Sequence, residues 1–148
     1  MAYAATTDVP FERSIADIIG LLKKAGAERI AQVDEPERFT IQFDLAERLV
    51  RFRVPYPSSI DVAAQTGPRQ DQTRVAAQLH RQRGRALLLV IKAKLESIES
   101  GVETFEEAFL ANVVMANGET VYDRIAAPIA EEYASGAPAL LLTGPKKR

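Results

Sequence analysis

The amino-acid sequence predicts an α+β fold with an N-terminal helix, a small antiparallel sheet, a long central helix and a C-terminal helix–hairpin–helix. Three observations predict it: helical spacing of apolar residues near the N-terminus, strict apolar–polar alternation over residues 39–54, and a helical pattern over about residues 71–100. At 148 residues, of which 47% are hydrophobic, the chain is long enough to bury one core. We therefore expect a single α+β domain over residues 11–136, with a flexible arm over residues 1–10 and a charged tail over residues 137–148.

The first helix is predicted over roughly residues 11–25 because its apolar residues recur at helical spacing. They are Ile15, Ile18, Ile19 and Leu22. Lys23 and Lys24 suit a last helical turn, and Gly26 suits the position just after a helix end.

The sheet is predicted from two successive runs in which apolar and polar residues alternate. The apolar positions are Phe39, Ile41, Phe43 and Leu45 in the first run, and Val50, Phe52 and Val54 in the second. A period of two predicts antiparallel strands with one buried face, joined by a short connection around residues 46–48. Residues 29–33 are a candidate strand before them. Residues 58–70 contain Ser, Thr, Gly and Pro with weak periodicity, which predicts a loop.

The long helix carries a line of basic residues. At 100° per residue, Arg81, Arg85 and Lys92 fall within about 20° of Arg74, and the same line continues through Glu96 and Glu99. Apolar residues fill most of the remaining circumference, which predicts a helix surrounded by core. Those expected to be nearly fully buried are Leu87, Val90, Ile91 and Leu95.

Two interpretations of this line remain open. It is either a solvated edge with ordinary ion pairs one helical turn apart, such as Lys92–Glu96, or a row of cations spaced to meet phosphates. Arginine suits the second role because its planar guanidinium binds phosphate oxygens bidentately.

Charge is distributed unevenly along the chain, although the net charge is only -1. Between Arg69 and Lys94 there are seven Lys or Arg and one acid, whereas residues 96–132 hold nine acids and one Arg. Such a division predicts a polarised surface. Together with the solvent-facing arginines of the hairpin, it defines a candidate nucleic-acid-binding set of Arg51, Arg53, Arg74, Arg81, Arg85 and Lys92.

Local signals define the C-terminal third. Thr104 and Glu107 match a capping box, which predicts a short helix through about Ala111. Asn117-Gly118 between apolar pairs predicts a hairpin. A final helix over residues 121–134 should end at Gly136, with Pro128 kinking or breaking it.

The sequence offers little for catalysis. There is no cysteine, which excludes disulfides and thiolate chemistry, and the one histidine, His80, is expected at the surface among arginines. Five glutamates supply oxygen ligands that suit Mg²⁺ in principle, but exposed helical glutamates are common. They are Glu96, Glu99, Glu103, Glu106 and Glu107. No phosphate-binding loop is present. We predict no catalytic residue, metal site or cofactor.

The chain is predicted to be cytoplasmic, with no membrane partner. Its first residues, "MAYAATTDVPFERS", lack the basic and apolar regions of a signal peptide. The longest apolar run, residues 86–91, is far too short to span a bilayer.

Three segments resemble a family of small tailed-phage and prophage proteins whose activity is not established. They are "RGRALLLVIKAKLESIESGVETFEEAFL" (83–110), "LVRFRVPYP" (49–57) and "NGETV" (117–121). The resemblance implies an origin rather than an activity: a factor expressed inside the host cell during infection or lysogeny. Such factors are often nucleic-acid binders or inhibitors of host machinery.

Three functional hypotheses follow. The first is a non-catalytic phage-type accessory protein that binds DNA or RNA mainly through backbone phosphates. The alternative is a protein-interaction module that uses the acidic C-terminal third, as an inhibitor of a host or defence factor or as a self-assembling oligomer. The third is a metal-dependent enzyme using Glu96 and Glu99.

Overall fold

A computed structural model describes residues 2–141 of the protein, and this part of the chain has the predicted α+β class. Helices and a three-stranded antiparallel sheet pack around a single core. The elements are α1 Phe11–Lys24, β1 Glu28–Asp34, β2 Arg38–Leu45, β3 Arg48–Pro55, α2 Ser59–Gln65, α3 Gln72–Glu99, α4 Phe105–Phe109, a 3₁₀ turn Leu110–Asn112 and α5 Val121–Ser135.

The predicted hairpin is confirmed. Strands β2 and β3 pair antiparallel from Arg38↔Pro55 to Leu45↔Arg48, and β1 adds to β2 in the order β1-β2-β3. The two-residue connection has positive φ at Ala46 (50°) and Glu47 (60°), as a type I′ turn requires. One face is buried as expected, with Phe39, Ile41, Phe43, Val50 and Phe52 in the core and Val54 half-buried.

Helices α1 and α3 are in close contact at Gly84. A Cβ atom placed on Gly84 would lie 2.8 Å from Cδ2 of the Phe11 ring and 3.3 Å from the Phe11 Cα. The Phe11 ring also packs edge-on against Phe39, with a centroid separation of 5.2 Å. Gly84 is therefore required for the close helix crossing that holds α3 over the sheet.

Helix α3 has one buried side rather than a surrounding core. Its buried residues are Gly84, Leu87, Leu88 and Ile91. The prediction for Val90 was wrong, because that side chain is 44% exposed, and Leu95 is only half-buried. Since residues 86–91 are all apolar, they occupy the whole helical circumference and do not indicate which side faces the core.

The loop predicted for residues 58–70 contains helix α2. Ser58 Oγ accepts from the Asp61 backbone N–H at 3.1 Å, and the Asp61 carboxylate accepts from the Ser58 N–H at 2.9 Å. This capping box has Asp at its third helical position, whereas the usual sequence pattern has Glu or Gln there. A broader pattern would have found it, because Thr120 and Asp123 form the same arrangement at the start of α5.

The N-terminal segment packs against α3. Ala4 is buried, and the Gln78 side-chain amide donates to the carbonyls of Ala5 and Thr7, both at 2.9 Å. Because these contacts come from the first half of α3, the predicted arm and the basic line of α3 lie next to each other.

The C-terminal segment begins on α3 and continues against β3. The capping box of Thr104 and Glu107 is confirmed, and α4 packs on α3. Beyond the 3₁₀ turn, the Val114 N–H donates to the Leu49 carbonyl at 2.8 Å, and the Asn112 amide donates to the Arg51 carbonyl at 3.1 Å. These bonds place the segment along the free side of β3.

The expected hairpin at Asn117-Gly118 is reduced to a tight turn. The Met115 N–H donates to the Glu119 carbonyl at 2.7 Å, and a single antiparallel bridge joins Val114 to Thr120, with no strand on either side. Helix α5 follows without interruption at Pro128 and ends at Gly136, whose φ is 70°. The predicted C-terminal helix–hairpin–helix is therefore not confirmed: a tight turn closed by one antiparallel bridge precedes α5.

Candidate nucleic-acid interface

The basic line on α3 consists of Arg74, Arg81, Arg85 and Lys92, and we call it the α3 stripe. Arg74 and Lys92 are exposed, and Arg81 and Arg85 are half-buried. Residues 2–141 contain six ion pairs, and none of them involves a member of the stripe. The four cations are therefore not neutralised by a direct carboxylate contact within the described chain.

Arg81 is held in one orientation. Its Nε and Nη2 donate to Oε1 of Gln78, at 3.2 and 2.5 Å. The Gln78 amide is fixed in turn by the carbonyls of Ala5 and Thr7. The neutral amide therefore orients the guanidinium without forming an ion pair, and Arg81 Nη1 makes no hydrogen bond within the described residues.

A cleft of about 680 Å³ lies at the N-terminal end of the stripe, and we call it the arginine cleft. Its walls come from the N-terminal segment, the α2–α3 connection and the first turns of α3. Three arginines line it, Arg69, Arg74 and Arg81. The one carboxylate in its lining, that of Asp71, accepts from the Thr73 N–H at 2.9 Å and so caps α3.

Arg51 and Arg53 are not part of this surface. They alternate with the buried Val50 and Phe52, so they lie on the sheet face opposite to the core. Arg51 Nη1 donates to the Gly118 carbonyl at 2.8 Å, and Arg53 Nη2 lies 2.6 Å from Oδ2 of Asp123. The structure thus separates the predicted set into four cations on α3 and two that hold the C-terminal segment.

The Asp123 carboxylate joins these contacts to the start of α5. It accepts from the Thr120 backbone N–H at 3.1 Å in addition to Arg53. The Thr120 N–H and then the Arg53 guanidinium hold the pKa of Asp123 below its usual value. Arg53 therefore stabilises a helix start and is not an unoccupied phosphate ligand.

The glutamates beyond the stripe do not form a metal site within the described residues. No group of three or more His, Asp or Glu side chains in residues 2–141 is arranged to hold a metal ion. The Glu103 carboxylate accepts from the Ser97 hydroxyl at 2.7 Å. The Lys92–Glu96 ion pair that the solvated-edge interpretation includes is absent from the pairs within this part of the chain.

His80 is half-buried, contrary to the expectation of a surface residue. Its ring stacks on Phe11 with a centroid separation of 4.4 Å and tilts against Tyr56 at 5.0 Å. Its neighbours are therefore aromatic rings of the α1–α3 crossing, and its role in the structure is packing.

Sequence reasoning missed Arg69 and the ordering role of Gln78. Arg69 lies in a segment interpreted as a loop, and its position beside Arg74 depends on how α2 leads into α3. Gln78 lies near the line of the stripe, but its contact with residues 5 and 7 spans more than 70 positions of sequence. A helical projection contains no information about contacts of that kind.

The comparisons with known proteins found no match: no protein-family model, curated protein or solved structure is significantly similar to the chain. The phage-protein family therefore stays a prediction from the three sequence segments. None of the helices within residues 2–141 combines the length and apolar character needed to cross a membrane.

Proposed function

We propose that the protein is a non-catalytic, phage-type accessory protein that binds nucleic acid through backbone phosphates along the α3 stripe. The observation that carries the proposal is the absence of a carboxylate partner for these four cations in residues 2–141. By contrast, Arg29, Arg38, Arg53 and Arg83 each pair with an acid.

The stripe has the geometry of a backbone contact. From Arg74 to Lys92 it extends about 27 Å along the helix, at 1.5 Å per residue. Its members are four cations on one line, and the stripe itself contains no aromatic ring for stacking bases. Binding should therefore be strong in low salt and weakly selective for sequence.

Salt dependence of oligonucleotide binding tests the proposal. If all four cations contact phosphates of a single strand, the logarithm of affinity should fall with the logarithm of salt with a slope of about -3. Affinity should then drop roughly 50-fold between 50 and 200 mM salt. Fluorescence anisotropy with a labelled oligonucleotide measures both quantities.

A charge-matched pair of variants separates specific contacts from net charge. Arg81→Gln with Arg85→Gln should make the slope shallower by about 1.4, since two phosphate contacts are lost. Arg13→Gln with Arg38→Gln removes the same charge from exposed sites outside the stripe and should leave the slope nearly unchanged. Equal behaviour of the two double variants, or no binding by the parent in low salt, would contradict the proposal.

Helix α5 supports a second candidate function, that of a protein-interaction module. The helix has no buried residue, although Tyr122, Ile125, Ile129 and Tyr133 follow one another at spacings of three and four. Tyr133 is 90% exposed, Tyr122 61% and Ile129 39%. A helix with an amphipathic pattern and an uncovered apolar side is typical of a partner-binding element.

We propose a second copy of the chain as the partner to test first, and analytical ultracentrifugation as the measurement. A dimer that is lost in Ile129→Glu with Tyr133→Ala would support this function. A parent that stays monomeric at high concentration would remove self-assembly from consideration. Val102→Ala is a suitable control, because Val102 is 77% exposed but lies outside α5.

A further inference from the structure

We propose that the arginine cleft is a site for a phosphate monoester, and that it receives the terminal phosphate of a bound nucleic-acid strand. The inference deepens the function proposed above, because it places the end of the bound strand at the N-terminal end of the α3 stripe. It rests on that function for the identity of the strand, but the monoester site can be tested separately.

The charge of the cleft fits a terminal phosphate better than an internal one. Three guanidinium groups and one carboxylate give the lining a net charge of +2, from 3 minus 1. A phosphate monoester carries a charge of about -1.5 to -2 at neutral pH, because its second ionisation lies near pH 6. An internal phosphodiester carries a single negative charge, which one cation such as Lys92 can match.

The ordering of the cleft favours a defined ligand position. Arg81 is fixed by Gln78, which is itself fixed by the N-terminal segment. The side chains of Arg69 and Arg74 make no ion pair within the described residues, so they are available to the same ligand. Pre-oriented guanidinium groups bind phosphate oxygens through strong charge-assisted hydrogen bonds.

The charges along α3 give the bound strand a direction. Beyond the cleft, Arg85 and Lys92 follow Arg81 at about 6 and 16 Å along the helix. The sign then reverses at Glu96 and Glu99, both of which are exposed. The terminal phosphate, which is the most anionic group of the strand, therefore lies in the cleft, where the cations are densest. The rest of the strand follows Arg85 and Lys92 and is repelled by the carboxylates at the C-terminal end of α3.

Oligonucleotides that differ only in their ends provide the test. We expect a probe with a terminal phosphate, at the 5′ or the 3′ end, to bind the parent about ten-fold more tightly than the same probe with hydroxyl ends. A mononucleotide competitor distinguishes a strand end from a free nucleotide as the source of the monoester. Equal affinity for phosphorylated and unphosphorylated probes would overturn the inference and leave the proposed function intact.

Two variants assign the preference to the cleft. Arg69→Gln with Arg74→Gln should abolish the preference for the phosphorylated end. Lys92→Gln should lower the affinity for every probe and leave that preference unchanged. If no oligonucleotide binds but the mononucleotide binds the parent and not the Arg69/Arg74 variant, the monoester site is supported and strand binding fails. If neither ligand binds the parent, both proposals are wrong. Thermal melts of the variants verify that each is folded.

Discussion

Two groups of arginines that look alike in the sequence have opposite roles in the structure. Arg51 and Arg53 on β3 donate to the C-terminal segment, to a carbonyl and a carboxylate respectively. Arg74, Arg81 and Arg85 on α3 make no contact with a carboxylate within the described residues. The difference arises from which chain segment lies opposite each surface, and this is set by tertiary structure.

The comparison shows how to interpret the uneven charge of this chain. Within residues 2–141, the acids of the C-terminal third pair with one basic residue outside that third, Arg53 of the sheet, through Asp123. Within the same residues, no acid of α5 forms an ion pair with a member of the stripe. The charges of a basic segment and an acidic segment in one chain therefore need not neutralise each other in the folded protein.

The largest effect is expected from substitutions on α3, which test whether its buried side differs from its solvent-exposed side. Leu87→Ala removes a buried side chain and should lower the free energy of unfolding by about 2–5 kcal/mol. Val90→Ala, at a residue that is 44% exposed, should cost much less. Urea denaturation of both variants measures the difference, and similar losses would show that the solvent side of α3 has been misplaced.

A smaller loss is expected where Gly84 meets Phe11. Gly84→Ala places a Cβ against a buried ring and should cost about 1–3 kcal/mol from overpacking, reduced by the higher helix propensity of alanine. Gly20→Ala is the matched control, because nothing lies within 4 Å of a Cβ at that helical position. The control should stabilise the fold, and stabilisation by both substitutions would contradict the close crossing of α1 and α3.

The central comparison is tested by two double variants with equal loss of charge. Arg51→Gln with Arg53→Gln should lower the free energy of unfolding by about 1–2 kcal/mol, because contacts to the C-terminal segment are lost. Arg74→Gln with Lys92→Gln should change it by less than about 0.5 kcal/mol, since both residues are exposed. Chemical denaturation distinguishes them, and the opposite ranking would show that the stripe is structural.

The smallest effect is a difference in acid sensitivity. Because the pKa of Asp123 is lowered in the folded state, its contribution to stability is present above the unfolded value of about 3.9 and is lost as pH falls through the lowered value. Arg53→Gln should reduce this acid-dependent loss. Unfolding free energies from pH 5 downward measure it, and identical profiles for parent and variant would mean that Arg53 does not influence Asp123.

The sequence was sufficient to predict those helices and strands that are specified by a local pattern of residues. Alternation from Phe39 to Val54 predicted the hairpin and its buried face, and the Thr104 capping box predicted α4. Five adjacent apolar residues, from Leu87 to Ile91, did not reveal the buried side of α3, because that side depends on where Phe11 contacts Gly84. The stripe itself followed from helical spacing.

The position of the candidate interface on α3 could be predicted from the sequence, but the full set of residues that form it could not. Arg51 and Arg53 belong to the predicted nucleic-acid-binding set because they alternate with buried residues. Alternation does not indicate which segment covers the outer face of a sheet. Arg69 was omitted because α2 was not recognised. Both errors concern contacts between segments that are distant in sequence, which local patterns do not encode.

The sheet described above has two unequal edges. Val114 occupies the outer edge of β3 through its bond to Leu49, whereas nothing in residues 2–141 pairs with the outer edge of β1. Within the described residues, β1 is therefore the more open edge of the sheet, and a further strand is expected to join there. That strand carries Glu28, Arg29 and Asp34 and an irregular register between Glu28 and Ala31. Charges and bulges on an open edge are features that discourage strand addition, so β1 should protect the protein against aggregation through its sheet.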